Sequence, residues 1–493
     1  MNRNILLSVA LICICSLPEL LAQTNFKLYK DSDASIYYYV RARANVATGG
    51  QTPFWMTSGT YGVVPLTGSS AYLQTQAKFI SVGDKFVYQA GIDMITTTTR
   101  YRNVYVQELY GLITYNTWLS LLIGSAEHAS SNSIVNNKLS SGDMAISTNA
   151  RPIPEINLMV NDFTYIPLTN KRLQFRGNFS VGRSFDDAYL QSYVKTPQTY
   201  NRNVLWHNKS LHLRLNVRSR YESLAGIIGF RHVAQWGGTS TDPALGAQPH
   251  SFKDFLRVVT GKAGDASATE SDQVNVLGNH YGTYDFGLEY SYYGRKVKLY
   301  HQHFFDDRSG MEFENGMDGL YGVELSLKSD NWLTGLVVER LYTLNQSGPF
   351  HFIWFDHAKY PGTGGGGDNY YNNGEYTTGA SYFNRSTGSP LLISPEYNDG
   401  QLGFRHNRIA AWHLGAEGNI INYIMTYKVK CSYITSYGTP TEPLLKKTGS
   451  LAAAAEVTYI NDKRVFFTLS IAADRGALLG NHAGISISVY KRL

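Results

Sequence analysis

Tyr370 and Tyr371 stand between Asp368-Asn369 and Asn372-Asn373. Flat apolar rings beside carboxylates and amides are the materials of sugar binding. The rings stack on C–H faces, and the polar groups exchange hydrogen bonds with hydroxyls. Trp236, Trp354 and Asp356 extend this candidate glycan-binding set. The competing reading is that such aromatics pack loops or form the belt of a membrane interface. A second set is cationic: Arg41, Arg43, Arg176, Arg214, Arg218, Lys298, Lys428 and Lys430. Collected in one lumen, these charges would attract anions such as acidic polysaccharide or lipopolysaccharide phosphate. An anion-selective pore would use the same field.

Other chemistries find less material. His301 and His303 lie two apart, with Asp306 and Asp307 beyond. They share a strand face with Val297, Leu299 and Phe305, which assigns them to a membrane interface and not to a metal. No G-x-S-x-G frames a nucleophile, and Gly364 to Gly367 lack the Lys-Ser/Thr of a phosphate loop. No catalytic residue, metal or cofactor is therefore assigned.

The elements that carry these side chains read as strands. Leu211, Leu213, Leu215 and Val217 alternate with His212, Arg214, Asn216 and Arg218, and alternation places the two sets on opposite faces. The pattern recurs around 40–44, 173–181, 284–292, 321–328, 423–433, 465–471 and 485–489. Either the apolar face meets a core, as in a soluble sandwich, or it meets lipid while the cations line a wet interior.

Ends and composition favour lipid. Arg3 precedes an apolar run from Ile5 to Leu17, and Ala22 offers a cleavage point before Gln23. This reads as a secretory signal over 1–22, with the mature chain 23–493. Ile14 before Cys15 does not suit a lipoprotein signal. Only Cys431 remains in the mature chain, so no intrachain disulfide can form. Arg3 and Glu19 leave together, which keeps the net charge at +6. The 36 Tyr and 46 Gly alongside a mean hydropathy of −0.24 suit a barrel whose strands are half wetted.

Connector lengths sharpen the choice. Short turns are expected at 82–84, 115–117, 169–171, 220–222, 293–295, 329–331, 417–419 and 461–463. Longer connections are expected at 47–69, 96–103, 125–155, 183–206, 235–280, 306–318, 344–405, 435–449 and 475–481. Alternating short and long connectors give roughly 18 strands of an all-β, antiparallel transmembrane barrel, with both termini on the short-turn side. Segments 235–280 and 344–405 are too long for bare loops. Ser251 followed by Phe255, Leu256, Val258 and Val259 predicts a capped helix ending at Gly261, placed to plug or cover the lumen.

Several stretches in order resemble the capsule-assembly Wzi family of outer-membrane proteins, particularly Bacteroides-type members. They are PFWMTSGTYGVVPL (53–66), HNKSLHLRL (207–215), HVAQWGGT (232–239), SFKDFLRVVTG (251–261), LGNHYGTYDF (277–286), HQHFFDDRSGM (301–311), DGLYGVEL (318–325), GGDNYYNN (366–373) and the turn Gly388-Ser389-Pro390-Leu391. The resemblance implies an obstructed 18-stranded barrel with an added helical element. It also implies a non-catalytic, lectin-like role in holding capsular polysaccharide at the surface of a Gram-negative cell. Expected partners are capsular or other acidic polysaccharide, outer-membrane lipid and capsule export machinery, with no nucleic acid. The rivals are an anion-selective channel and an outer-membrane lipid-modifying enzyme.

Overall fold

The computed structural model describes residues 34–98, 101–127, 133–195, 197–316, 318–346, 368–461 and 464–493. The signal segment, Trp354, Asp356 and Gly364 to Gly367 lie outside them. Eighteen antiparallel strands form one sheet. They are β1 (Ala34–Gln51), β2 (Thr67–Val82), β3 (Phe86–Thr97), β4 (Val104–Tyr115), β5 (Leu119–Ser125) and β6 (Glu155–Tyr165). Next come β7 (Leu173–Arg183), β8 (Leu205–Arg218), β9 (Glu222–Trp236), β10 (Asn279–Tyr292), β11 (Arg295–Phe305) and β12 (Gly319–Ser326). The last are β13 (Gly335–Tyr342), β14 (Ile409–Ile421), β15 (Met425–Gly438), β16 (Pro443–Ile460), β17 (Val465–Gly476) and β18 (His482–Arg492). β1 pairs with β2 on one side and with β18 on the other, Ala42 facing Val489, so the sheet closes and leaves no edge.

The apolar columns face outward. Leu211, Leu215, Ile228 and Leu288 lie bare on the outer wall, each about half exposed, while His212 points inward and is fully buried. A wall of bare leucine and isoleucine is stable against acyl chains and not against water. The short and long connectors sort to opposite ends, as the alternation predicts. Two boundaries differ from expectation. Residues 417–419 continue β14, and the turn falls at 422–424, with Tyr423 at φ +59°. The connection expected at 435–449 shrinks to 439–442, because β15 and β16 both extend further. The final strand also runs past Tyr490 to Arg492.

The lumen is filled, and the filler is the long connection between β5 and β6. Its residues Ile134, Leu139, Asp143, Met144 and Ala145 are buried. A polar wall holds it largely through the plug's own backbone. Lys298 Nζ donates to the Ile134 carbonyl at 2.8 Å, Arg176 to Ser133 at 2.9 Å and Lys430 to Ser140 at 3.0 Å. Glu339 accepts from the Ser140 hydroxyl and the Ser141 amide, each at 2.6 Å. At the centre Asp143 ion-pairs with Arg231 and accepts from Gln302 at 2.9 Å.

The expected helix forms but lies elsewhere. Besides the one-turn α1 (Phe54–Thr57) and α2 (Asp187–Tyr193), helix α3 spans Phe252–Thr260. Ser251 and Asp254 make its capping box, and Gly261 closes it at φ +60°. Its Val258 clusters with Ala234, Trp236 and Leu277, and Phe255 meets the Phe179 ring at 6.3 Å. Phe179, Lys209 and Trp236 belong to outward columns, so α3 lies on the outside of the wall at its rim. The Lys209 ammonium donates to the Val259 carbonyl at the helix C-terminus. The obstruction therefore comes from the 133–150 region and not from this helix.

Two carboxyls in the connections between strands are strongly desolvated. Asp272, on α4 (Glu270–Val274), is raised to about 8 by burial, then by its hydrogen bond and charge repulsion with Glu375. Burial raises Asp318, ahead of β12, to about 7, against the amides of Asn345 and Gln346 that donate to it. Both folded values exceed the unfolded carboxylate value, so the folded form binds more protons, and stability falls as pH rises from about 4 to 8. Hydrogen-exchange protection of residues 270–278 and 368–376 should accordingly be greater at pH 5.5 than at pH 8.5. Asp318→Asn should flatten that dependence. For the plug, Arg231→Ala leaves Asp143 buried and unpaired, a cost of roughly 3–5 kcal/mol. Planar-bilayer recording should then show conductance in the variant and no steady current in the wild type.

Candidate functional site

The connections on the plugged side build the outer mouth, and α2 lies in the one between β7 and β8. Tyr189 of α2 meets Tyr101 edge-on at 5.1 Å, stacks with Tyr193 at 5.7 Å and contacts Phe383 at 5.4 Å. These four rings are half-buried, while Phe185 beside them is 59% exposed. The Arg151 guanidinium lies 4.3 Å from the Tyr105 ring centre and 4.3 Å from that of Phe383. Arg102 sits over Tyr101 and Arg183 over Phe185, at 5.4 and 5.5 Å. Local sequence explains the placement. Asp187 occupies the first turn of α2 and accepts from the Asn203 amide at 3.2 Å, and Asp186 accepts from the Phe383 amide at 3.2 Å. Burial raises the Asp186 carboxyl to about 6. Rings with open edges beside guanidinium groups can stack on sugars and pair with their carboxylates.

The local sequence does not mark these residues as a site. Segment 183–206 reads only as a long connection, although FDDAYLQSY at 185–193 has acids followed by spaced aromatics. The partners Tyr101, Arg151 and Phe383 come from three other connections, so no local signal could assemble the group.

The aromatic and amide residues expected to bind sugar take other roles. Tyr370 and Tyr371 are fully buried. Phe304 packs on both, at 4.7 and 5.3 Å. The Tyr370 hydroxyl donates to Asp318 at 3.1 Å, and the Tyr371 hydroxyl donates to the Met144 carbonyl of the plug. Trp236 is 4% exposed under α3. The expectation of open stacking faces is corrected for these three, since protein atoms already cover their rings. Asn372 bridges Phe404, its Oδ1 accepting the amide at 2.7 Å and its Nδ2 donating to the carbonyl at 2.8 Å. Asn369 accepts from Asn407 at 2.5 Å, and Asn373 accepts from the amides of Glu375 and Tyr376. Asp368 and Asn369 are half-buried beside them. This polar set builds the loop.

The cationic set does face inward, but little of it is available to a ligand. Arg176, Lys298 and Lys430 hold the plug. Arg214 pairs with Glu289 at 2.5 Å, Lys298 also with Glu324 at 2.6 Å, and Lys428 with Glu456 at 2.6 Å. Arg43 donates to Asn45 and Ser486 at 2.9 and 2.8 Å. The expected cationic field is thus largely neutralised by acids that alternate into the same lumen. Arg41 and Arg218 keep access to open space. Arg41 lines a polar cavity of about 360 Å³ with Tyr39, Gln76, Glu108, Glu127 and Tyr490, and Arg218 lines another of about 410 Å³ near the turn at 219–222. His301 and His303 face outward as expected. His301 stacks on Tyr321 at 4.1 Å, and His303 is covered by Phe313 at 4.3 Å.

Comparison with known proteins follows the same lines. The sequence profile of the family described as capsule assembly protein Wzi matches residues 138–407, more than half of the chain. No curated protein sequence matches. Among solved structures, Wzi of Escherichia coli, described as an outer-membrane protein involved in group 1 capsule assembly and a carbohydrate-binding β-barrel, superposes with a TM-score of 0.55. It is 10% identical, and the match covers 93% of this chain and 84% of that one. More distant is OpdQ of Pseudomonas aeruginosa, at TM-score 0.44 and 8% identity, with 94% and 98% covered. Salmonella typhi OmpF is similarly distant, at TM-score 0.42 and 8% identity, with 95% and 100% covered. A plugged barrel with a bare apolar wall and a matching profile across its plug, wall and mouth makes this chain a member of the Wzi family of capsule-assembly proteins of the Gram-negative outer membrane.

Proposed function

We propose that the protein is a non-catalytic receptor that holds acidic surface polysaccharide at the mouth of its plugged barrel and so assists capsule attachment. The observation that carries this reading is the aromatic and arginine cluster around α2, set above a lumen that 133–150 fills. Phe185, Tyr189 and Phe383 supply faces for pyranose C–H surfaces, and Arg102, Arg151 and Arg183 supply donors to uronate or other carboxylates. Asp368, Asn369, Asn372 and Asn373 belong to the neighbouring loop, whose shape the Asn side chains fix through their hydrogen bonds. E. coli Wzi, described as a carbohydrate-binding barrel with the same fold, supports the ligand class. The filled lumen argues for surface retention over transport of the polymer through the barrel.

Deleting the gene should release capsule from the cell surface into the medium, as seen by staining; full retention would remove the proposal. With purified protein, Phe185→Ala should weaken binding to immobilised capsular polysaccharide by about three- to tenfold, the size of one aromatic contact. Arg151→Ala should do so by a similar factor, and more so for acidic than for neutral polymer. Unchanged heat-dependent gel mobility of both variants would show that the barrel itself is intact.

A further inference from the structure

The outer wall carries an unpaired cation. Along β13 the outward column runs Leu336, Val338, Arg340, Tyr342, and the inward Glu339 is occupied by the plug. In register, Arg340 faces Tyr321 on one side and Trp412 on the other, and Tyr321 in turn faces His301. Continuing along the pairs, His301 faces Phe286, and Phe286 faces Ile228. Arg340 is the one full cation in this row. Its guanidinium lies 4.9 Å from the Trp412 ring centre and 5.8 Å from that of Tyr342. Among the described residues no carboxylate lies within ion-pair distance of it.

Depth can be read from the connections. Tyr342 leads directly into the 343–408 connection and Tyr321 follows the 306–318 connection, so the row belongs to the loop-bearing end. An arginine facing lipid is costly at the midplane and costs close to nothing near the interface. Tryptophan and tyrosine around it mark such an interface. Directly toward the bilayer centre from this row, the wall is concave. A groove of about 960 Å³ is lined by Leu213, Ile228, Leu288, Leu299, Val323 and Val338, with Arg340 and Trp412 at its upper margin. The groove is continuous with the lipid-facing wall, so acyl chains are its natural filling. The cation at its margin favours an anion at headgroup height, and a guanidinium matches phosphate with two parallel hydrogen bonds.

We infer that this groove is a site for one phosphorylated glycolipid of the outer leaflet, with Arg340 on a phosphate and acyl chains laid over Leu213, Leu299, Val323 and Val338. The site lies on the barrel's outer surface, separate from the polysaccharide cluster at the mouth, and does not depend on it.

The test is native mass spectrometry of the detergent-purified full chain. It is titrated with bisphosphorylated lipid A, with the same lipid after phosphatase treatment, with phosphatidylglycerol and with inorganic phosphate. The wild type should prefer the bisphosphorylated lipid over its dephosphorylated form by about tenfold, the effect of one charge-assisted contact. Arg340→Gln should lose that preference. Val338→Trp, which fills the groove and keeps the cation, should weaken both lipid A forms together. A preference unchanged in Arg340→Gln overturns the inference, as does wild-type binding indifferent to the phosphates. Phosphatidylglycerol binding as tightly as lipid A would overturn the glycolipid assignment, and inorganic phosphate binding alone would show that the groove has no role. If Arg340→Gln does not fold, Arg340→Lys serves. It keeps the charge without the paired donors, and a preference equal to wild type would again refute the assignment.

Discussion

The Arg231–Asp143 ion pair is the constraint on which much of this molecule turns. Both groups are essentially without solvent, and removing either would leave the other's charge uncompensated in the interior. One belongs to the wall and the other to the plug. The pair therefore requires that the connection between β5 and β6 be drawn inside. Once it is inside, its backbone needs hydrogen bonds that neither lipid nor trapped water readily supplies. The inward columns supply them through Lys298, Gln302, Glu339, His413 and Lys430.

The same alternation that turns polar groups inward turns Leu211, Leu215 and Ile228 out. A closed sheet leaves the wall no open edge of unpaired amides, which is the condition for standing in a bilayer. Outer and inner faces thus obey opposite rules, and a strand carries both at a period of two. The outer face still has local character, in the α3 helix docked at the rim and in the concavity below Arg340.

At the mouth, order comes from buried polar and aromatic contacts across great sequence distance. Tyr371 joins the plug at Met144, and Arg385 donates to Thr57 at 2.9 Å and to Val64 at 2.5 Å. These contacts tie the 368–408 region, the plug and the first long connection into one lid. They also hold Phe383 against Tyr189 and Arg151, so the surface cluster is pre-arranged. A preformed binding face loses less conformational entropy on meeting a polymer.

The chain by itself determined the period of its strands, hence which residues face lipid, how many times the sheet crosses and at which end the long connections gather. Those are local properties, since each side chain's face follows from its neighbours along one strand. It could not decide what the inward cations meet. Arg176, Lys298 and Lys430 look alike whether they await an anion or hold a plug, and their partners lie up to 290 residues away. Nor could it separate Tyr370 and Tyr371, buried as loop core, from Tyr189 and Phe185, left at the surface. A ring beside amides has the same local pattern in either place. Only closure of the barrel, which brings distant connections onto one mouth, settled which rings were covered and which were left open.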